Sequence, residues 1–106
     1  MMRSAALLCA VSLVPAVAGI ALDDSTIRTA VAEWLSDSAA AEAAYGHIST
    51  WETGGVTDMS YLFCGSYDMN SYGCNSAARS FNEGIGAWDT SGVTNMNGMF
   101  YYAAAF

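Results

Sequence analysis

One pattern of hydrophobic and polar positions occurs twice along the chain. The stretch from Ile48 to Phe63 returns from Ile85 to Phe100, and eight of the sixteen aligned positions are identical. Apolar residues within a copy are three to five positions apart, which favours short strands and tight turns over one long helix. Each copy therefore predicts an Ile-x-x-Trp strand, a turn at Thr-Gly-Gly or Thr-Ser-Gly, and a helical turn over Val-Thr-x-Met-x-x-Met/Leu-Phe.

The spacing of the copies predicts a repeat architecture. The copies are offset by 37 residues, but matching Phe81 to Phe106 assigns 12 of these, residues 64–75, to an insertion in the first copy. The remaining period of 25 lies in the range of leucine-rich-repeat-like units. We therefore expect an α+β repeat fold, a leucine-rich-repeat-like solenoid of short strands and helical turns with two units over residues 47–106. The chain ends in mid-unit at Phe106, which predicts a truncated gene product.

Residues 22–46 predict a helical cap in front of the first unit. Asp23-Asp24-Ser25 supplies N-cap candidates, and an apolar stripe follows at helical spacing. Ser36-Asp37-Ser38 is expected to split the segment into two helices, the second ending at Gly46. Trp34 and Leu35 are predicted to cover the open end of the first unit. A membrane-surface helix is the alternative, but its polar face lacks the basic residues that such helices carry.

Residues 1–21 have the pattern of a secretory signal peptide. A short basic start ending at Arg3 precedes an uncharged apolar run, and small residues follow at two cleavage motifs. A transmembrane anchor is the alternative, but the run is Ala-rich and only weakly apolar. We therefore expect a secreted or cell-surface protein whose mature chain does not insert into a membrane.

The insertion carries a cysteine near each end, Cys64 and Cys74, in a segment rich in Gly, Ser and Asn. A disulfide at the base of this loop is favoured in an exported protein and would contribute about 2–3 kcal/mol. Two free thiols are an alternative. Half of a metal site is another, although only two cysteines and the distant His47 are available where zinc usually takes four ligands.

The charge distribution excludes several classes of partner. The net charge is −7 and the chain has no lysine, so nucleic acids and anionic membranes are not expected partners. Asp58 and Asn95 occupy equivalent positions, but the first copy does not satisfy the Gly-Gly-x-Gly-x-Asp pattern of calcium-binding repeats. His47 is the single histidine, and no Gly-x-Ser-x-Gly motif is present. The sequence predicts no metal site, no cofactor and no enzymatic activity.

The stretch from Phe81 to Phe100 resembles the repeat of the BspA-like leucine-rich-repeat surface proteins. It reads Phe-Asn-x-x-Ile-x-x-Trp-Asp-x-Ser-x-Val-x-x-Met-x-x-Met-Phe, and the resemblance extends over about residues 26–106. The Cys-containing insertion is not part of that repeat. The resemblance implies a secreted or surface-displayed protein that acts in adhesion or recognition, with no catalytic residues to carry over.

The leading functional hypothesis is therefore recognition of an unidentified protein or glycan. Tyrosine is common at binding surfaces, and Tyr61, Tyr67 and Tyr72 in and beside the insertion are the candidate contacts, with Tyr101 and Tyr102 as further ones. The alternatives are a structural spacer of a wall or extracellular matrix without a specific ligand, and a non-functional gene fragment.

Overall fold

The computed structural model describes residues 20–69 and 72–106. The signal peptide predicted for residues 1–21 lies outside them except for its last two residues. In chain order the described elements are strand β1 (Ala21–Asp23), helix α1 (Ile27–Ser36), helix α2 (Ser38–Tyr45), a 3₁₀ helix (Ile48–Thr50), strand β2 (Glu52–Gly55) and a second 3₁₀ helix (Ser76–Ser80). β1 and β2 form a two-stranded parallel sheet.

Helix α1 forms because its apolar residues recur at helical spacing and face the core. Ile27, Ala30, Val31 and Trp34 are all buried. The helix begins after Thr26, which makes no side-chain cap. The carboxylate of Asp23 instead accepts the backbone N–H groups of Ser25 and Thr26, and so shapes the turn before the helix.

The break between the two helices lies where the sequence predicted it. Asp37 leaves the helical conformation, and its carboxylate accepts the backbone N–H of Ala40 at 3.1 Å as the N-cap of α2. α2 is followed by Gly46 at φ 83°. A residue other than glycine would be strained there, so the chain leaves the helix at this point.

Aromatic side chains connect α1 to both copies of the repeated pattern. The ring of Trp34 meets Trp51 edge-on at 6.0 Å, and Trp51 stacks on Trp88 at 6.3 Å. The indole N–H of Trp88 donates to the carbonyl of Ile48 at 2.8 Å, so this buried ring keeps a hydrogen bond. The same core contains further buried apolar residues: Leu22, Val56, Met59, Leu62, Phe63, Ala78, Phe81 and Met99.

Backbone hydrogen bonds join the two copies in register. The N–H groups of the first copy at alternate positions donate to carbonyls of the second copy at 2.8–2.9 Å. In the opposite direction the Thr94 N–H donates to the carbonyl of Thr57. The central pair, Asp58 and Asn95, forms a parallel bridge between equivalent positions. The donor and acceptor pairs of the first kind are Met59 with Asn95, Tyr61 with Asn97, and Phe63 with Met99. Gly65, at the start of the insertion, continues the series by donating to the carbonyl of Tyr101.

The prediction of a leucine-rich-repeat-like solenoid is wrong. The described residues form a small α+β structure with two helices and one two-stranded sheet, and no series of strand-and-helix units. The predicted Ile48-x-x-Trp51 strand is a 3₁₀ helix, and the predicted Thr-Gly-Gly turn lies in β2. The Val-Thr-x-Met-x-x-Met/Leu-Phe segments, predicted as helical turns, form hydrogen-bonded turns.

Local hydrogen bonding explains why the second copy has no strand. β2 is a strand because β1 lies beside it and pairs with it. In the second copy the carboxylate of Asp89 accepts the N–H of Ser91 at 2.9 Å. This bond helps to close a turn at Thr-Ser-Gly, as predicted, and it competes with strand formation.

Two side chains from the N-terminal segment satisfy the outer backbone groups of the first copy. Arg28 donates from Nη1 to the carbonyl of Ser60 at 2.9 Å and from Nη2 to the carbonyl of Asp58 at 3.3 Å. The carboxylate of Asp24 accepts the N–H groups of Thr57 and Asp58 at 2.7 and 3.1 Å. Both side chains thus take the place of a neighbouring backbone at this side of the paired copies.

Replacing Arg28 by Ala should weaken the attachment of helix α1 to the first copy. We expect Arg28→Ala to lower the free energy of unfolding by about 1–2 kcal/mol, because two carbonyl groups lose a charged donor. The ion pair with Asp58 adds little, since both side chains are well exposed to solvent. Urea denaturation measures the change. Thr29→Ala, on the exposed side of the same helix, is the control; an equal loss in both variants would contradict the prediction.

Asp24 should make stability depend on pH. Hydrogen bonds from the Thr57 side chain and then from the Thr57 and Asp58 backbone lower the pKa of the Asp24 carboxyl below its ordinary value of 3.8. Its contribution to stability is therefore complete above about pH 4 and is lost as the pH falls through the lowered folded-state pKa. We expect Asp24→Asn to reduce the loss of thermal stability between pH 4 and pH 2, whereas Glu42→Gln should not.

Candidate binding surface

A disulfide closes the insertion at its base. Cys64 and Cys74 are both buried and are bonded to each other, as the sequence favoured. The N–H of Asn75 donates to the carbonyl of Cys64 at 2.8 Å, so a backbone bond reinforces the closure. The Asn75 carboxamide then accepts the N–H of Ala77 and begins the second 3₁₀ helix. The ends of the loop are thereby fixed to the core.

Of the three candidate tyrosines, the structure brings two into contact. The rings of Tyr61 and Tyr72 lie 5.0 Å apart, with Tyr61 half-buried and Tyr72 exposed. Tyr61 has a left-handed backbone at φ 57°, and its ring lies against Gly98, where a Cβ atom would collide with it. Tyr61 is therefore held in place by packing and presents only part of its ring to solvent.

Tyr67 lies in a different cluster, which is organised around Arg79. The guanidinium of Arg79 lies 4.4 Å from the ring centre of Tyr67 and 5.3 Å from that of Tyr102. Tyr67 is 66 % exposed and Tyr102 is 54 % exposed, so both rings face solvent. Cation–π attraction at exposed sites of this kind amounts to about 0.5–1 kcal/mol per contact. We call Tyr67, Arg79 and Tyr102 the tyrosine–arginine cluster.

The backbone beside Cys64 positions this cluster. Arg79 donates from Nε to the carbonyl of Gly65 at 3.0 Å, and Gly65 donates its N–H to the carbonyl of Tyr101 at 2.7 Å. A Cβ atom on Gly65 would meet the Tyr102 carbonyl and the Arg79 side chain at less than 3 Å. Glycine is therefore required where the loop, the 3₁₀ helix and the second copy approach each other.

Sequence reasoning did not identify Arg79 as a candidate. Its signal was its rarity, because Arg28 and Arg79 are the two cations that follow Arg3. Arg28 is paired with Asp58, whereas Arg79 has no carboxylate within ion-pair distance among residues 20–69 and 72–106. A planar cation between two rings, with donors left over, can bind a carboxylate, a hydroxyl group or a carbonyl oxygen.

A second exposed surface lies along the second copy. The ring of Phe100 stacks on Phe63 at 5.6 Å and on Phe106 at 4.4 Å, and Phe106 also stacks on Phe81. Of these rings, Phe63 and Phe81 are buried, whereas Phe100 and Phe106 are exposed. Met96 lies in the same copy and is also exposed. The apolar column therefore runs from the core out to solvent.

His47 packs against helix α1. Its ring meets Trp34 edge-on at 5.1 Å, Nδ1 is 2.8 Å from the hydroxyl of Ser49, and Nε2 is 3.6 Å from Glu83. In the described part of the chain no three His, Cys, Asp or Glu side chains lie close enough together to hold a metal ion. Within the same residues, no helix has the length and apolar character needed to span a bilayer.

A known family model matches the second half of α1, all of α2 and both copies of the repeated pattern. Residues 31–106 match the family model described as "Mycoplasma protein of unknown function, DUF285". The chain belongs to the DUF285 family. Searches of curated proteins and of solved structures gave no match. Both exposed surfaces of this DUF285 domain, the tyrosine–arginine cluster and the surface along the second copy, lie within the matched residues.

Removing the disulfide should destabilise the DUF285 domain and loosen the tyrosine–arginine cluster. The loop closed by Cys64 and Cys74 is short, so we expect the double variant Cys64→Ala/Cys74→Ala to lose about 2–3 kcal/mol of unfolding free energy. Mass spectrometry of the non-reduced protein after alkylation should find the two cysteine peptides still linked. Two alkylated thiols without reductant would contradict the disulfide, and Ser76→Ala, just beyond the loop, is the control for stability.

Proposed function

We propose that this protein is a secreted, non-catalytic recognition domain that binds a protein or glycan outside the cell. The observation that carries the proposal is the tyrosine–arginine cluster, in which two exposed rings flank a cation that has no acidic partner among the described residues. Exposed tyrosine and arginine side chains are enriched where proteins bind their partners. Tyrosine rings also offer flat apolar faces beside a polar hydroxyl, which suits sugars as well as peptides.

Export is part of the proposal and rests on two supports. The pattern of residues 1–21 is that of a secretory signal peptide. The Cys64–Cys74 disulfide agrees with an oxidising compartment, because such bonds are rare in the cytosol. A role in adhesion or recognition at the cell surface, similar to that of BspA-like surface proteins, is consistent with both supports and with the DUF285 match.

The cluster is better suited to recognition than an isolated tyrosine would be. Arg79 is fixed at one end by its bond to the Gly65 carbonyl, and Gly65 is adjacent to the disulfide. Binding therefore costs less side-chain entropy than ordering a free arginine would. Tyr61 and Tyr72 form a separate pair, and we assign them a secondary role at most, because Tyr61 is committed to packing against Gly98.

Export and binding can be tested with the same protein. Expressed with its own N-terminus in a secreting host, the chain should be recovered from the medium with residues 1–18 or 1–21 removed, as mass spectrometry would show. The exported protein is then screened against a glycan array and a panel of purified extracellular-matrix proteins. We expect Tyr67→Ala and Arg79→Gln each to weaken the binding detected by about tenfold, the loss of one anchor contact.

Tyr72→Ala is the matched control, since Tyr72 is an exposed tyrosine of the same loop outside the cluster. It should retain binding. An equal loss in Tyr72→Ala and Tyr67→Ala would contradict the assignment of the cluster. A folded, exported protein that binds nothing on either panel would favour a structural spacer over a recognition domain.

A further inference from the structure

The second copy presents a row of backbone N–H groups that the structure leaves without acceptors. The N–H groups at three alternate positions of the first copy, and that of Gly65 at the start of the insertion, donate to carbonyls of the second copy and of Tyr101 beyond it. The equivalent donors of the second copy have no acceptor within residues 20–69 and 72–106. We call these four residues the second-copy edge: Met96, Gly98, Phe100 and Tyr102.

Two side chains on this edge are much more exposed to solvent than their equivalents in the first copy, which neighbouring segments cover. Met59 and Phe63 are 0 % exposed, whereas their equivalents Met96 and Phe100 are 47 % and 37 % exposed. The Phe100 ring already extends the column that begins at Phe63, and Phe106 lies beside it. The edge thus combines unpaired donors with an apolar surface, as the edges used for strand addition do.

The other side of the paired copies is closed. Arg28 donates to the carbonyls of Ser60 and Asp58, and Asp24 accepts the N–H groups of Thr57 and Asp58. A second molecule cannot offer this side to the second-copy edge without displacing both side chains. Head-to-tail assembly of identical chains is therefore disfavoured.

Edge-to-edge pairing of two identical chains is disfavoured as well. The carbonyls at alternate positions from Asn95 to Tyr101 already accept N–H groups of the first copy and of the insertion. The carbonyls of the edge residues Met96, Gly98 and Phe100 accept N–H groups from turns of the second copy itself. Two such edges brought together would place donors against donors, and none of these groups would gain a partner. The complementary occupant must supply carbonyl oxygens at alternate residues.

We propose that the second-copy edge binds an extended backbone segment of a partner protein, one that is uncharged and carries Met or aromatic side chains. Residues 94–102 contain no charged side chain, so a charged segment would lose hydration without gaining an ion pair. The segment 93–101 of this chain has the required chemistry, since in the same molecule it supplies the carbonyls that cover the first copy. The site is separate from the tyrosine–arginine cluster except at Tyr102, which gives its ring to the cluster and its N–H to the edge.

The test uses the full chain and a synthetic peptide of residues 93–101, Val-Thr-Asn-Met-Asn-Gly-Met-Phe-Tyr. Amide hydrogen exchange followed by NMR reports each donor directly. We expect saturable binding that slows exchange of the Met96, Gly98 and Phe100 amides at least tenfold. A peptide of the same residues in scrambled order should protect none of them.

Variants of the protein locate the binding. Met96→Asp should weaken the peptide about tenfold, because it places a charge on the apolar surface. Ala104→Asp adds the same charge at an exposed position outside the edge and should leave the peptide affinity unchanged. Tyr67→Ala should also leave it unchanged, so failure at this edge is distinguishable from failure of the tyrosine–arginine cluster.

Three results would overturn the proposal. The first is unchanged exchange of the three amides at saturating peptide while the spectrum remains that of the folded protein. The second is protection without peptide that grows with protein concentration, because a second copy would then occupy the edge. The third is equal peptide binding by Met96→Asp and the unmodified chain.

Discussion

Backbone hydrogen bonding between the two copies of the repeated pattern is the constraint on which the remaining structure depends. At alternate positions the first copy donates N–H groups to the second, so each copy has one side directed at the other and one side directed away. Aromatic stacking follows the same register, with Trp51 on Trp88 and Phe63 on Phe100. An unpaired buried backbone group costs about as much free energy as a lost hydrogen bond. The backbone groups on each outward side therefore need other hydrogen-bond partners or contact with water.

The chain uses two different solutions. On the first copy, Asp24 and Arg28 provide an acceptor and donors from the segment around the start of α1, and the helix covers the apolar residues below them. On the second copy, the outward donors and the rings of Phe100 and Phe106 stay in contact with solvent. The proposal of a partner at the second-copy edge rests on this asymmetry, because a segment could bind there without rearrangement of the core.

The insertion positions the tyrosine–arginine cluster without disturbing the pairing. Its disulfide and the Asn75 bond to Cys64 bring the chain back to the core next to the point where it left. Arg79 follows in the second 3₁₀ helix and reaches Gly65, and this contact sets the spacing between Tyr67 and Tyr102. The tyrosine–arginine cluster thus depends on the disulfide, whereas the second-copy edge depends on the pairing of the copies. The two surfaces meet at Tyr102, whose ring contacts Arg79.

The difference between local contacts and contacts distant in sequence also explains which features the sequence could predict. The helix break at Asp37 and the turn at Thr90-Ser91-Gly92 follow from local side-chain chemistry, and the spacing of the apolar residues identified α1. The solenoid prediction failed because periodicity records which residues repeat and does not show whether a strand has a neighbour. Only β2 has one, from β1 in the N-terminal segment. Arg79 was missed for a related reason, since its partners come from the insertion and from the end of the second copy. Contacts between segments distant in sequence decide both outcomes, and the spacing of residues along the chain does not show them.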